Sequence, residues 1–144
     1  MQDLINISRE VFDAFNNRDF DRIVSLSSDK LEWIDLPTGK KLSGQQALKQ
    51  WCQAWVGAFS NAKVEMISDF GSDELVCSEY IGRGQHTGQL VLGQQTLPPS
   101  NRMVQIQLCN VVRIQGGKIV SGHAYYDLLT MIRQLGVEPA RIAA

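Results

Sequence analysis

Only three cysteines occur in the 144 residues, Cys52, Cys77 and Cys109. Their odd number and wide spacing give neither a disulfide framework nor a zinc pattern. Each lies in an apolar-patterned segment, where a free thiol packs as a small hydrophobe, and reduced thiols point to a cytoplasmic setting. Basic runs are missing too. Fourteen Lys and Arg against fifteen Asp and Glu leave a net charge of −1, which excludes the footprint of a nucleic-acid binder. No apolar run approaches the roughly 18–20 residues of a membrane span. Met1-Gln2-Asp3-Leu4 has neither a basic region nor a long apolar stretch, so it does not read as a signal peptide. There are two histidines, His86 and His123. They are isolated, no His-x-x-x-His occurs, and no metal is expected. There is no Gly-x-Ser-x-Gly elbow. Gly82-x-Gly84 lies inside a strand pattern and does not make a phosphate loop.

What is present is ordinary globular composition, 44% apolar and 20% charged, with no repeat, linker or low-complexity tract. A single domain over residues 1–144 is expected. Leu4, Ile7, Val11, Phe12 and Phe15 recur at helical spacing, which predicts a helix over about residues 3–17. Asp19 can cap a short second helix carrying Phe20, Ile23 and Val24. Leu31–Leu36 reads as a strand with Leu31, Trp33 and Asp35 on one face, and Asp35 can cap the Pro37-Thr38-Gly39 turn. Ser43 and Gln46 fit a capping box. The helix behind them buries Leu48, Trp51, Cys52, Trp55 and Phe59.

From Ala62 onward the pattern is β. Lys63–Phe70, Leu75–Thr87, Arg102–Ile114 and Lys118–Tyr126 are the expected strands, joined by turns at Gly71-Ser72-Asp73 and Gly116-Gly117. Gly88–Asn101 is a polar connection, a long hairpin loop or flap. Consecutive strands pair antiparallel, and the helices' aromatic faces need an apolar surface. The expected fold is α+β: a strongly curved, mostly antiparallel sheet forming a cone with the N-terminal helices. Such an interior suits a small apolar molecule.

Several side chains could carry chemistry there. Asp127 stands where the last strand meets a helix running to Gly136. It is either that helix's cap or an acid/base group raised by burial. A two-residue Gly116-Gly117 turn sets Asn110 opposite His123, Leu108 opposite Tyr125 and Ile106 opposite Asp127. Asn110 and His123 then satisfy each other or orient a substrate carbonyl. His86, at the end of the long strand, is either a second catalytic group or a surface histidine. Trp33, Trp51 and Trp55 line the cavity or fill the core.

The run Gly84-Gln85-His86-Thr87-Gly88, then Pro98-Pro99-Ser100-Asn101-Arg102, Gly117-Lys118-Ile119, Tyr125-Tyr126-Asp127 and Gln134-Leu135-Gly136 resembles the SnoaL-like polyketide cyclases. These have the nuclear-transport-factor-2-like (cystatin-like) fold. The match runs in order from the first helix to Gly136. Phe59-Ser60-Asn61 replaces the frequent Phe-Pro-Asp, and Pro99-Ser100-Asn101-Arg102 the frequent Pro-Thr-Gly-Arg. The resemblance implies a cofactor-free enzyme that closes a ring by intramolecular aldol condensation on a polyketide-like carbonyl compound. Asp127 aligns with the family's acid/base. The family's assisting histidine on the preceding strand has no counterpart in Arg102–Ile114. The resemblance also implies a homodimer. An isomerase, a dehydratase, an epoxide hydrolase or a non-catalytic ligand-binding or dimerisation module on the same fold would need much the same residues.

Overall fold

Helical spacing and strand alternation set the order of elements along the chain. The structure, a computed structural model, describes residues 2–138. Met1 and residues 139–144 of the expected 1–144 unit lie outside the described residues. Helices α1 (Gln2–Asn16) and α2 (Phe20–Ser25) come first, followed by strands β1 (Ser27–Asp35) and β2 (Lys40–Ser43) and helix α3 (Ala47–Ala58). Then come β3 (Lys63–Ser72), β4 (Leu75–Gln85), the small hairpin β5 (Leu90–Leu92) and β6 (Gln95–Leu97), β7 (Met103–Gln115), β8 (Lys118–Tyr126) and α4 (Leu128–Gln134). Asp19 caps α2 as expected, accepting from the Arg22 N–H at 3.1 Å. The polar connection after β4 holds its own two strands.

Six strands form one open sheet in the order β2-β1-β8-β7-β4-β3. All neighbours are antiparallel except β1 and β8, which run parallel. The fold is therefore the expected α+β arrangement, with a mostly antiparallel sheet packed by helices. One face of the sheet supplies the core. Along β7, Val104, Ile106, Leu108, Asn110, Val112 and Ile114 are all buried, and the residues between them are not. Ala14 and Phe15 from α1 and Leu48, Trp51 and Cys52 from α3 cover that face. Burying each large apolar side chain contributes about 1.5–3 kcal/mol. Among the described residues no helix is long and apolar enough to cross a membrane.

Three local expectations are corrected. Ser43 does not open α3. It ends β2, which pairs with β1, and its hydroxyl donates to Glu32 at 2.6 Å. The helix begins at Ala47, and Gln46 makes no side-chain cap bond. Second, β2 itself went unforeseen, because Lys40-Lys41-Leu42-Ser43 is too polar and short to show strand periodicity.

The third correction decides the site. Gln115 does pair with Lys118, and Ile114 with Ile119, but Arg113 pairs with Ser121. Val120 is an extra residue on β8, a bulge. Beyond it the register slips by one: Asn110 faces Ala124 and Leu108 faces Tyr126. A one-residue slip turns every later side chain to the other face. His123 and Tyr125 are consequently exposed on the outer face of the sheet, with ring centroids 6.3 Å apart. Ala124 and Tyr126 take the inner face in their place.

Candidate active site

Between the sheet and the helices lies a chamber of about 70 Å³. One water needs about 10–15 Å³ measured this way, so the space admits several waters or part of a small organic molecule. Its walls are mostly apolar. Phe12 and Phe15 come from α1, Trp51 and Trp55 from α3, and Ile106 and Leu108 from β7. Helical spacing in α3 puts Leu48, Trp51, Cys52 and Trp55 on one stripe, which is why a single helix supplies so much of the wall.

Polar groups facing this space are few. Tyr80 on β4 and Asn110 on β7 both line it. The buried Tyr80 hydroxyl donates to Asn110 Oδ1 at 3.0 Å. Burial pushes the Tyr80 phenol well above its ordinary range, so it stays protonated and donates. Among the described residues no acceptor is found for the N–H groups of the Asn110 amide, whose oxygen is the end that Tyr80 engages. They are available to an oxygen in the chamber. Cys52 also lines it, and burial pushes its thiol up to about 12. It is therefore no nucleophile near neutral pH.

Behind Trp51 stands the buried carboxylate of Asp35, 6% exposed. Its oxygens accept from Trp51 Nε1 at 3.0 Å, from the Tyr126 hydroxyl at 3.0 Å to each oxygen, and from the Thr38 N–H and hydroxyl at 3.2 and 2.9 Å. Among the described residues no cation is paired with it. Burial, with Asp35 nearby, holds the Tyr126 phenol well above its ordinary range. Tyr126 meets Trp55 edge-on, with centroids 5.3 Å apart. Asp35 and Tyr126 thus form one connected unit with Trp51 and Trp55; the two tryptophans line the chamber, and Asp35 and Tyr126 stand behind them.

The structure distributes the expected site residues as follows. Asn110, Trp51 and Trp55 line the chamber. Trp33 is fully buried against Trp51, with centroids 5.1 Å apart, and belongs to the core. His86 is buried behind Phe59, a wall residue, with ring centroids 5.4 Å apart. Its Nδ1 accepts from the Ser100 N–H at 3.2 Å and lies 2.9 Å from the Ser100 hydroxyl. Its Nε2 is buried with no hydrogen-bond partner at ordinary geometry among the described residues, and burial holds the imidazole below its ordinary range. His123 and Tyr125 are outside, for the reason of register.

Asp127 is exposed. It accepts from the Thr130 N–H at 3.0 Å and from the Thr130 hydroxyl at 2.6 Å, which makes it the N-cap of α4. These bonds hold its carboxyl below the ordinary range. It does not line the chamber. Of the two roles its position allowed, the cap is the one its contacts describe.

Sequence reasoning passed over Asp35, Tyr126 and Tyr80 as site residues. A signal for Asp35 was available. It shares a strand face with Leu31 and Trp33, both buried, so it points inward. The neighbouring Pro37 offered a turn-cap role that accounted for the residue equally well, and Asp35 does cap that turn through Thr38 while also bonding Trp51 and Tyr126. Among the described residues no group of three or more His, Cys, Asp or Glu is placed to hold a metal.

Residues 6–135 match the family model of the SnoaL-like polyketide cyclases, and the chain belongs to that family. Among curated proteins, none matches the sequence. Solved structures share the fold. AclR from Streptomyces galilaeus, a proposed hydroxylase, is 18% identical at a TM-score of 0.81, covering 96% of this chain and 88% of its own. IdmH from Streptomyces antibioticus, a proposed polyketide cyclase, is 20% identical at a TM-score of 0.77, with 93% and 99% covered. An LEH-like epoxide hydrolase from M. tuberculosis is 17% identical at a TM-score of 0.72, with 94% and 90% covered. At these identities the likeness speaks for the fold, and the activities named for the three differ.

Proposed function

We propose that this protein is an acid/base enzyme acting on an apolar carbonyl compound, of the ring-closing type its family suggests. Asp35 is the proton acceptor and Asn110 is the group that holds the reacting oxygen. The observation that carries the reading is the buried Asp35 carboxylate, which does not line the apolar chamber itself but stands directly behind its wall residue Trp51. Burying a carboxylate without a cation costs several kcal/mol even when it is hydrogen-bonded, and such groups concentrate at functional sites.

The chemistry follows from the parts. A proton leaves the carbon next to the substrate carbonyl and passes to Asp35. The electron pair moves onto the carbonyl oxygen, giving an enolate. The free N–H groups of Asn110 stabilise that oxygen where the negative charge develops. Tyr80, donating to the other end of the same amide, fixes its orientation and polarises it. The enolate carbon then attacks a second carbonyl of the substrate, and the alkoxide that results takes the proton back from Asp35. The same first step serves an isomerase. Asp127, exposed and already bonded to Thr130, keeps its structural role. The outer face of the sheet, with Ile67, Phe70 and Tyr125 exposed, is the surface we assign to a homodimer contact.

Solvent exchange tests the first step without knowledge of the true product. β-Tetralone, an apolar aromatic ketone, is incubated in deuterated buffer, and its exchange is followed by proton NMR. The intact protein is expected to accelerate exchange, and Asp35→Asn to lose at least about a hundredfold. Asp127→Asn, which keeps an N-cap side chain, is expected to retain the rate. Loss in Asp127→Asn with Asp35→Asn unaffected would move the base to Asp127. No acceleration by the intact protein, with the ketone bound, would favour a non-catalytic binder.

A further inference from the structure

Gly82 and Gly84 stand two residues apart inside β4, where no phosphate loop accounts for them. The inner face of that strand runs Val76, Ser78, Tyr80, Gly82, Gly84, and the first three are buried side chains. A glycine inside a strand weakens it, and often marks a place where a ligand or another backbone comes close. Neither glycine has a left-handed backbone conformation, so the course of the chain does not require them. At Gly84 the approaching group is visible. A Cβ built there falls 2.9 Å from Phe59 Cβ and 3.3 Å from Ala62 Cα, and the residue is buried. Gly82 is different: it is half-buried, and among the described residues a Cβ built there meets one atom within 4 Å, Leu108 Cδ1 at 3.0 Å. That atom is the end of a flexible side chain. Neither backbone geometry nor close packing explains the glycine at 82.

The chamber does explain it. Gly82 pairs with Val64 on β3 and with Ile106 on β7, and all three line the chamber, as do Tyr80 and Leu108. The glycine is thus a gap in the sheet side of the chamber, bounded by apolar side chains. The geometry points to Gly82 as the residue that sets the length of molecule the chamber accepts. The end of the ligand remote from Asn110 lies on the bare backbone of β4, between Val64 and Ile106. This rests on the chamber being the substrate site, as proposed above, and adds where the body of the substrate lies. Asn110 pairs with Ser78, four residues along β4 from Gly82, which is about 13 Å of strand. A one-ring ketone held at Asn110 stops short of Gly82, and a longer one reaches it. Gly82 is a specificity residue in this account and takes no part in proton transfer.

Calorimetric titration with acetophenone and with 2-acetylnaphthalene tests it. The two ketones share a carbonyl end and differ by one fused ring. The longer ketone is expected to bind the intact protein about tenfold more tightly, the gain from burying the added ring. Gly82→Val should bring the two ketones to within about twofold of each other, while acetophenone keeps its affinity to within about twofold. Gly82→Ala should remove part of the preference, and it serves if Gly82→Val does not fold. The Tm of Gly82→Ala should be no lower than that of the intact protein, because alanine suits a strand interior better than glycine. A fall in Tm with both ketones weakened alike would make Gly82 a packing residue and overturn the inference. Equal binding of the two ketones to the intact protein, or a preference that survives in both variants, overturns it and leaves the chamber as the ligand site. Binding of neither ketone to the intact protein overturns the chamber reading itself, and the inference with it.

Discussion

Gly122→Ala should damage this protein more than a single methyl group would suggest. Gly122 lies on β8 directly opposite Trp33 of β1. A Cβ built there falls 2.2 Å from Trp33 Cζ3, 2.4 Å from Cε3 and 3.2 Å from Cη2. Ordinary carbon contacts lie at about 3.5–4.0 Å, so the indole has to retreat by roughly 1.3–1.8 Å. It has no room to do so. Trp33 is 1% exposed and packs, tilted, against Trp51. Trp51 in turn holds Asp35 and lines the chamber. Overpacking a tight core costs about 1–3 kcal/mol, occasionally more, and the rigid indole places this site at the upper end, about 3 kcal/mol. For a domain of this length each kcal/mol shifts Tm by roughly 3–5 °C, which gives a fall of about 10 °C. Urea denaturation with an unchanged slope measures the same loss. The companion experiment is Trp33→Leu. Alone it costs about 3 kcal/mol through the cavity it leaves. Combined with Gly122→Ala the total should reach only about 4 kcal/mol, because the new methyl occupies part of that cavity. A Gly122→Ala loss under about 1 kcal/mol, or strict additivity with Trp33→Leu, would refute the claim that Trp33 is pinned against this strand.

Four further outcomes are expected. His86 is buried and held below its ordinary pKa, so the unfolded chain binds the proton first. Stability should be intact above about pH 6.5 and fall as pH drops below it, by up to about 1.4 kcal/mol per pH unit, and His86→Gln should flatten that limb in denaturation curves. Asp127 is held below its ordinary value by Thr130. Its contribution is therefore present above the unfolded value near 3.8 and is lost as pH falls through the lower folded value. Asp127→Ala should loosen α4 in amide exchange, and Asp127→Asn should not. Cys52, buried with its thiol pushed up to about 12, should resist alkylation in the native protein, and Cys109, pushed up to about 11 by burial and by its contact with Cys77, should react more slowly than the half-buried Cys77, as peptide mass analysis would record. Phe70→Glu with Tyr125→Glu on the outer sheet face should turn a dimer into a monomer in analytical ultracentrifugation. A dimer that persists would place the contact elsewhere.

Much of the fold was legible because its signals are local. The α1 stripe from Leu4 to Phe15, the cap at Asp19 and the Gly116-Gly117 turn each declare an element within a few residues. The site was harder to read, since it depends on non-local register. Val120 looks like any β-branched strand residue, and nothing near it in the sequence marks the bulge. Yet that one residue exchanges Tyr125 for Tyr126 on the inner face and turns His123 outward. Asp35 was visible as an inward residue, but its partners lie 16 and 91 residues away, beyond the reach of any local pattern. Asp127 was ambiguous because one residue type serves both a helix cap and a proton transfer. Its contacts with Thr130 are those of a cap.

The most direct test of the account is a crystal structure with β-tetralone bound. The account expects the ring in the chamber between Phe12 and Trp55, its oxygen within hydrogen-bond distance of Asn110 Nδ2, and its acidic carbon turned toward the side of Trp51 and Asp35. A ketone seated instead over the Asp127 carboxylate, with the chamber closed around water, would contradict it.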